Sequence, residues 1–79
     1  MFYVYFLKKP KFKYIYIGFT GDLQRRMKQH KQDKPDYKLI YYEAYFSKKD
    51  ARERERQLKK YGSSLGHLKK RLSDGLTKI

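Results

Sequence analysis

Five side chains stand out by type and spacing as able to handle a proton, a phosphate or a cation together: Tyr5, Tyr16, Arg26, His30 and Glu55. Tyr5 and Tyr16 sit in the triplets Tyr3-Val4-Tyr5 and Tyr16-Ile17-Gly18, within runs that alternate in period two. Such alternation turns Val4 and Ile17 into a core and leaves Tyr5 and Tyr16 on a shared opposite surface. A phenol there can exchange a proton. Its ordinary pKa near 10 leaves only on the order of one in a thousand ionised at neutral pH, unless nearby cations lower it.

Helical phase selects the other three. At about 100° per residue, Leu23 and Met27 form the buried stripe of a helix and Arg26 and His30 fall on the same side, whereas Gln24, Arg25 and Lys28 fall away. An arginine at the rim of a stripe is either a phosphate clamp held by packing or a stem covering apolar surface. His30, one turn later, could transfer a proton or bind a phosphate. In a second helix Ala51 and Leu58 mark the stripe, Glu55 lies between them, and Glu53 lies on the far side. An inward carboxylate must be paired, with Arg52, Lys59 or Arg26 in reach, or must bind a hard cation such as Mg²⁺. His67 lacks such neighbours and reads as surface. Tyr3, Arg25, Lys28 and Lys59 are the expected nucleic-acid contacts around this centre.

The elements that must position these groups follow from local pattern. Phe2 to Leu7 and Tyr14 to Gly18 are aromatic and β-branched, joined by the polar connection Lys8-Lys9-Pro10-Lys11, and read as antiparallel neighbours. Gly18 is expected to end the second strand at a turn. Thr20-Gly21-Asp22 starts a helix running to about Lys31, and residues 32–36 form a proline-broken loop. Leu39 to Phe46 reads as a third strand with Ile40, Tyr42, Ala44 and Phe46 on its core face. Tyr41 and Tyr45 are left on the other face, to stack on bases or, more simply, to pack under a helix. Ser47 caps a helix from Lys48 to Tyr61, ended by Gly62 in a left-handed conformation. Ser63 or Ser64 caps a short third helix with Leu65, Leu68 and Leu72 on one side, terminated at Asp74-Gly75. The expected fold is α+β, a three-stranded antiparallel sheet flanked by about three helices in the order β-β-α-β-α-α.

Composition bounds the function. A chain of 79 residues is one small domain, residues 1–79, whose site must be shallow. It has no cysteine, which excludes thiolate metal sites, cysteine nucleophiles and disulfides. With 21 Lys and Arg against 8 Asp and Glu, the net charge is +13, so a polyanion is the expected partner. A membrane surface fits less well, because the helices have narrow apolar stripes. The apolar opening is too short for an export signal and its basic residues follow rather than precede it, so a cytoplasmic location is expected.

These residues together resemble the GIY-YIG nuclease family, in its small stand-alone bacterial type, over essentially the whole chain. Tyr3-Val4-Tyr5 stands for G-I-Y with Tyr3 in place of glycine, and Tyr16-Ile17-Gly18 is an intact Y-I-G. The run from Tyr16 to Arg26 follows Y-I-G-x-T-x-[DN]-L-x-x-R, and the stretch ending Glu55-Arg56-Gln57-Leu58-Lys59 follows E-x-x-L-K. The resemblance implies metal-dependent endonuclease activity, the hydrolysis of DNA phosphodiester bonds with Mg²⁺ or Mn²⁺, in repair or recombination. It implies Tyr5 as general base, Tyr16 orienting water or phosphate, Arg26 stabilising the transition state, Glu55 as metal ligand and His30 assisting. The chain has no asparagine, which larger members often place late in the domain, and no second module for reading sequence is expected. Branched, damaged or single-stranded DNA is the expected substrate. The rival expectations are a binding module of the same fold without catalysis and, on charge alone, an RNA-associated basic protein.

Overall fold

A computed structural model describes residues 1–60 and 62–77. Strands β1 (Phe2–Lys8), β2 (Ile15–Thr20) and β3 (Lys38–Tyr45) form one antiparallel sheet in the order β2-β1-β3. Helix α1 (Leu23–Asp33) links β2 to β3, and α2 (Lys48–Lys60), α3 (Gly62–Arg71) and α4 (Ser73–Thr77) follow. The fold is α+β, with β1 central and β2 at an edge. None of the described helices is long and apolar enough to cross a membrane.

The sheet buries one face against α2 and α3. Val4 and Phe6 of β1 and Ile15 and Ile17 of β2 pack with Ala51 and Leu58 of α2 and Leu68 of α3. These are the inward residues of the period-two and helical patterns. The opposite face carries Tyr5 and Tyr16 and meets α1. That helix starts where Asp22 accepts a hydrogen bond from the Arg25 amide at 3.1 Å, and α2 starts where Ser47 Oγ accepts from the Asp50 amide at 3.4 Å. Each satisfies a donor that the first helical turn leaves without an internal partner.

The third strand inverts the expected face. Its register pairs Phe2 with Tyr45, Val4 with Glu43 and Phe6 with Tyr41, then shifts so that Leu7 meets Leu39 and Ile40 is left as a bulge. Directly paired residues share a face, so Tyr41, Glu43 and Tyr45 lie on the core side with Val4 and Phe6. Tyr41 and Tyr45 pack against the core, whereas Tyr42, Ala44 and Phe46 point outward and Phe46 is 93% exposed. The bulge turns Ile40 back toward the core, which strict alternation could not foresee.

Several boundaries also differ. Gly18 lies inside β2 rather than at its end, and β2 runs on to Thr20. Gly62 begins α3 without the left-handed conformation expected of a helix stop. Ser63 and Ser64 therefore lie within the first turn of α3, and the expected end of α2 at Tyr61 falls outside the described residues. Asp74 and Gly75 sit inside α4 instead of terminating the helical pattern.

Candidate active site

Because β2 is an edge strand, groups from both faces of the sheet can meet around it. An open hollow of about 380 Å³ is lined by Tyr5, Tyr16, Gly18, Arg26, Arg52, Glu55 and Lys59, together with further residues of β2. Its key groups come from β1, β2, α1 and α2. Tyr5 and Tyr16 are diagonal neighbours across the β1–β2 ladder, with ring centroids 6.3 Å apart.

Gly18 explains how the Tyr5 ring reaches the hollow. It is the ladder partner of Tyr5, and a Cβ at Gly18 would stand 2.3 Å from both Cζ and the hydroxyl of Tyr5. Glycine is required by this close approach, since no glycine has positive φ. Tyr5 is only 2% exposed. Burial first, then the neighbouring Tyr16, push its pKa up to about 12 against the opposing pull of Arg26. The phenol is therefore protonated at neutral pH.

Its hydroxyl lies 2.8 Å from Nε2 of His30, whose ring also packs edge-on against both tyrosines. Burial, followed by the positive charges of Lys34 and Arg26, holds the His30 pKa below its ordinary value of 6.5. The imidazole is neutral at neutral pH and able to accept a proton. His30 is thus behind the cleft, in contact with its tyrosines, rather than part of its lining.

Arg26 lines the cleft but is exposed, and α1 buries no residue completely. Leu23 and Met27 are only half-buried, so the expected buried stripe is a loosely covered one. Arg26 is therefore not clamped by packing, and its exposed guanidinium borders the cleft. Glu55 is inward, its side chain 13% exposed, with one oxygen 3.4 Å from Arg52 and the other 3.1 Å from Lys59. Two of the three possible cation partners are engaged. Both lie on α2 itself.

Of the expected nucleic-acid contacts, Lys59 lines the cleft, and Arg25 lines an adjoining hollow together with Arg26. Tyr3 instead packs edge-on against Tyr42, and exposed Lys28 lines neither hollow. Arg52, expected in the sequence as a partner for Glu55, also stands 4.0 Å over the Phe19 ring at the cleft wall. One cation of the site was not singled out in the sequence. Lys34 sits 4.1 Å over the ring of Tyr16, from a loop position that carries no periodic signal.

The profile of the GIY-YIG catalytic domain matches residues 1–69. The chain belongs to this family, whose members are generally endonucleases, and its three-stranded sheet is the one expected from the sequence. It is also similar to a UPF0213 protein of Clostridium perfringens (strain 13 / Type A), 35% identical over 68 residues, covering 76% of this chain and 72% of the relative. No solved structure matches the chain at a significant level.

Proposed function

We propose that the protein is a divalent-metal-dependent endonuclease that hydrolyses DNA phosphodiester bonds, with repair or recombination of branched or single-stranded DNA as its setting. The observation that carries this reading is the convergence of Tyr5, Tyr16, Arg26 and Glu55 on one hollow from four separate elements. The attacking water loses its proton to the Tyr5 oxygen as Tyr5 passes its own to Nε2 of His30. That relay removes the need for a free phenolate, which a pKa of about 12 would make scarce. Tyr16 orients the water or phosphate, and Arg26 places its charge against the phosphoryl oxygens as negative charge builds there.

The donor set around Glu55 fits a Mg²⁺ or Mn²⁺ ion. Among the described residues no cluster of three or more ligating side chains exists. Such an ion would be held by Glu55 alone, completed by water and phosphate oxygens, as Mg²⁺ commonly is at phosphate sites. When bound it supplies charge stabilisation at the leaving oxygen. Arg52 and Lys59 hold the carboxylate in position at the cleft.

The second reading, a binding module without catalysis, draws on the same ion pairs, because both oxygens of Glu55 already have cationic partners. Supercoiled plasmid incubated with Mg²⁺, Mn²⁺ or a chelator separates the two. The nuclease reading predicts metal-dependent nicking by the native protein and a loss of roughly 10²-fold or more in Tyr5→Phe. Equal nicking by both proteins would contradict it.

A further inference from the structure

The cleft continues along the edge of β2 in both directions. Toward α1 it shares Thr20, Gly21 and Arg26 with the hollow that holds Arg25. Toward the hairpin it shares Tyr16, Ile17 and Lys59 with another hollow, of about 310 Å³, completed by Tyr14, Ile15, Leu58 and Leu65. The ends differ in chemistry. The first offers guanidinium groups. The second offers the Tyr14 ring, 69% exposed, in one lining with the buried Leu58 and half-buried Leu65, and with Lys59, which it shares with the cleft.

An exposed aromatic ring in one lining with apolar side chains, and with a cation shared with the phosphate site, matches the needs of one nucleotide. The base stacks and the charge meets its phosphate. Tyr14 immediately precedes β2 and Tyr16 is its second residue, so the two rings border the same stretch of the sheet edge. The chain's net charge of +13 favours a polyanionic occupant over a peptide or lipid tail.

We infer that this second hollow is a base-receiving subsite, in which the nucleotide next to the phosphate in the cleft lays its unstacked base on Tyr14. The inference rests on the nuclease reading only for the identity of that phosphate as the one attacked. It defines the substrate further, as nucleic acid with an unpaired or readily flipped nucleotide at that step.

The test is equilibrium binding by fluorescence anisotropy in chelator, so that no cleavage is read. The probes are a short oligothymidylate and a sugar–phosphate oligomer of the same length that lacks bases. Tyr14→Ala, at an exposed position, is expected to weaken binding of oligothymidylate by about fivefold or more. Tyr14→Phe is expected to bind as the native protein does, and all three proteins are expected to bind the baseless oligomer equally. Equal effects of Tyr14→Ala on both oligomers, or no effect on either, would overturn the subsite. The base-dependent loss without metal-dependent nicking would instead count against the nuclease and leave the subsite standing.

Discussion

His30 and Tyr5 divide the proton work according to how burial acts on each. Burial raises an acid such as the phenol and lowers a base such as the imidazole, so the pair rests with the proton on tyrosine and a vacant acceptor on histidine. The proposed relay needs neutral His30. Nicking should therefore be full at neutral pH and fall on acidification, with a midpoint below 6.5, and Tyr5 should add no alkaline limb until pH approaches about 12. A pH–rate profile checks this, and His30→Ala should remove the acid limb while lowering the plateau by roughly 10²-fold. Gly18 makes a second demand at this scale. Gly18→Ala forces a methyl group into the Tyr5 ring, and it should cost about 1–3 kcal/mol in urea denaturation and displace the hydroxyl from His30.

At the scale of elements, the orientation of α2 depends on a cluster that sequence pattern did not show. Glu43 of β3 accepts from Nε and an Nη of Arg54 at 2.8 and 3.1 Å, from Tyr41 at 2.7 Å and from Tyr45 at 2.5 Å. This ties α2 to the strand beneath it one residue before Glu55. Burial pushes the Glu43 carboxyl upward, but the hydrogen bonds from Arg54, Tyr45 and Tyr41 outweigh it and hold the pKa below the ordinary 4.5. A depressed folded-state pKa gives stability that is present above the unfolded value and lost as pH falls through the folded one. Native protein should therefore lose stability below about pH 4.5 more steeply than Glu43→Gln, and Arg54→Ala should cost about 2 kcal/mol at neutral pH, both read by urea denaturation.

The first two strands and the starts of α1 and α2 were legible because their signals are local. Period-two alternation placed Val4 and Ile17, and Asp22 and Ser47 cap the helices as their side-chain chemistry requires. The face of β3 was not legible. It depends on a bulge at Ile40 and on pairing with β1, and neither leaves a trace in the strand's own residues. The same limit applied to the cleft. Helical phase brought Glu55 inward, but the exposure of Arg26 follows from how loosely α1 sits on the sheet, and Lys34 reaches Tyr16 only through the path of its loop.

For the whole molecule, charge sets attraction and the cleft sets chemistry. With a net charge of +13, nucleic-acid binding should weaken steeply with salt. Arg25→Ala should lower the slope of log affinity against log salt by about one, without changing the divalent-ion requirement for nicking. Affinity and cleavage should therefore separate, because cations spread over the surface attract the polymer and, among the described residues, only Glu55 meets the cleft as a carboxylate. The most direct test measures plasmid nicking in Mn²⁺ and DNA binding in chelator on one preparation each of native protein and Glu55→Ala. Binding at least as tight is expected in Glu55→Ala, since a negative charge is removed, together with nicking reduced by roughly 10²-fold or more. Undiminished nicking by Glu55→Ala would contradict it.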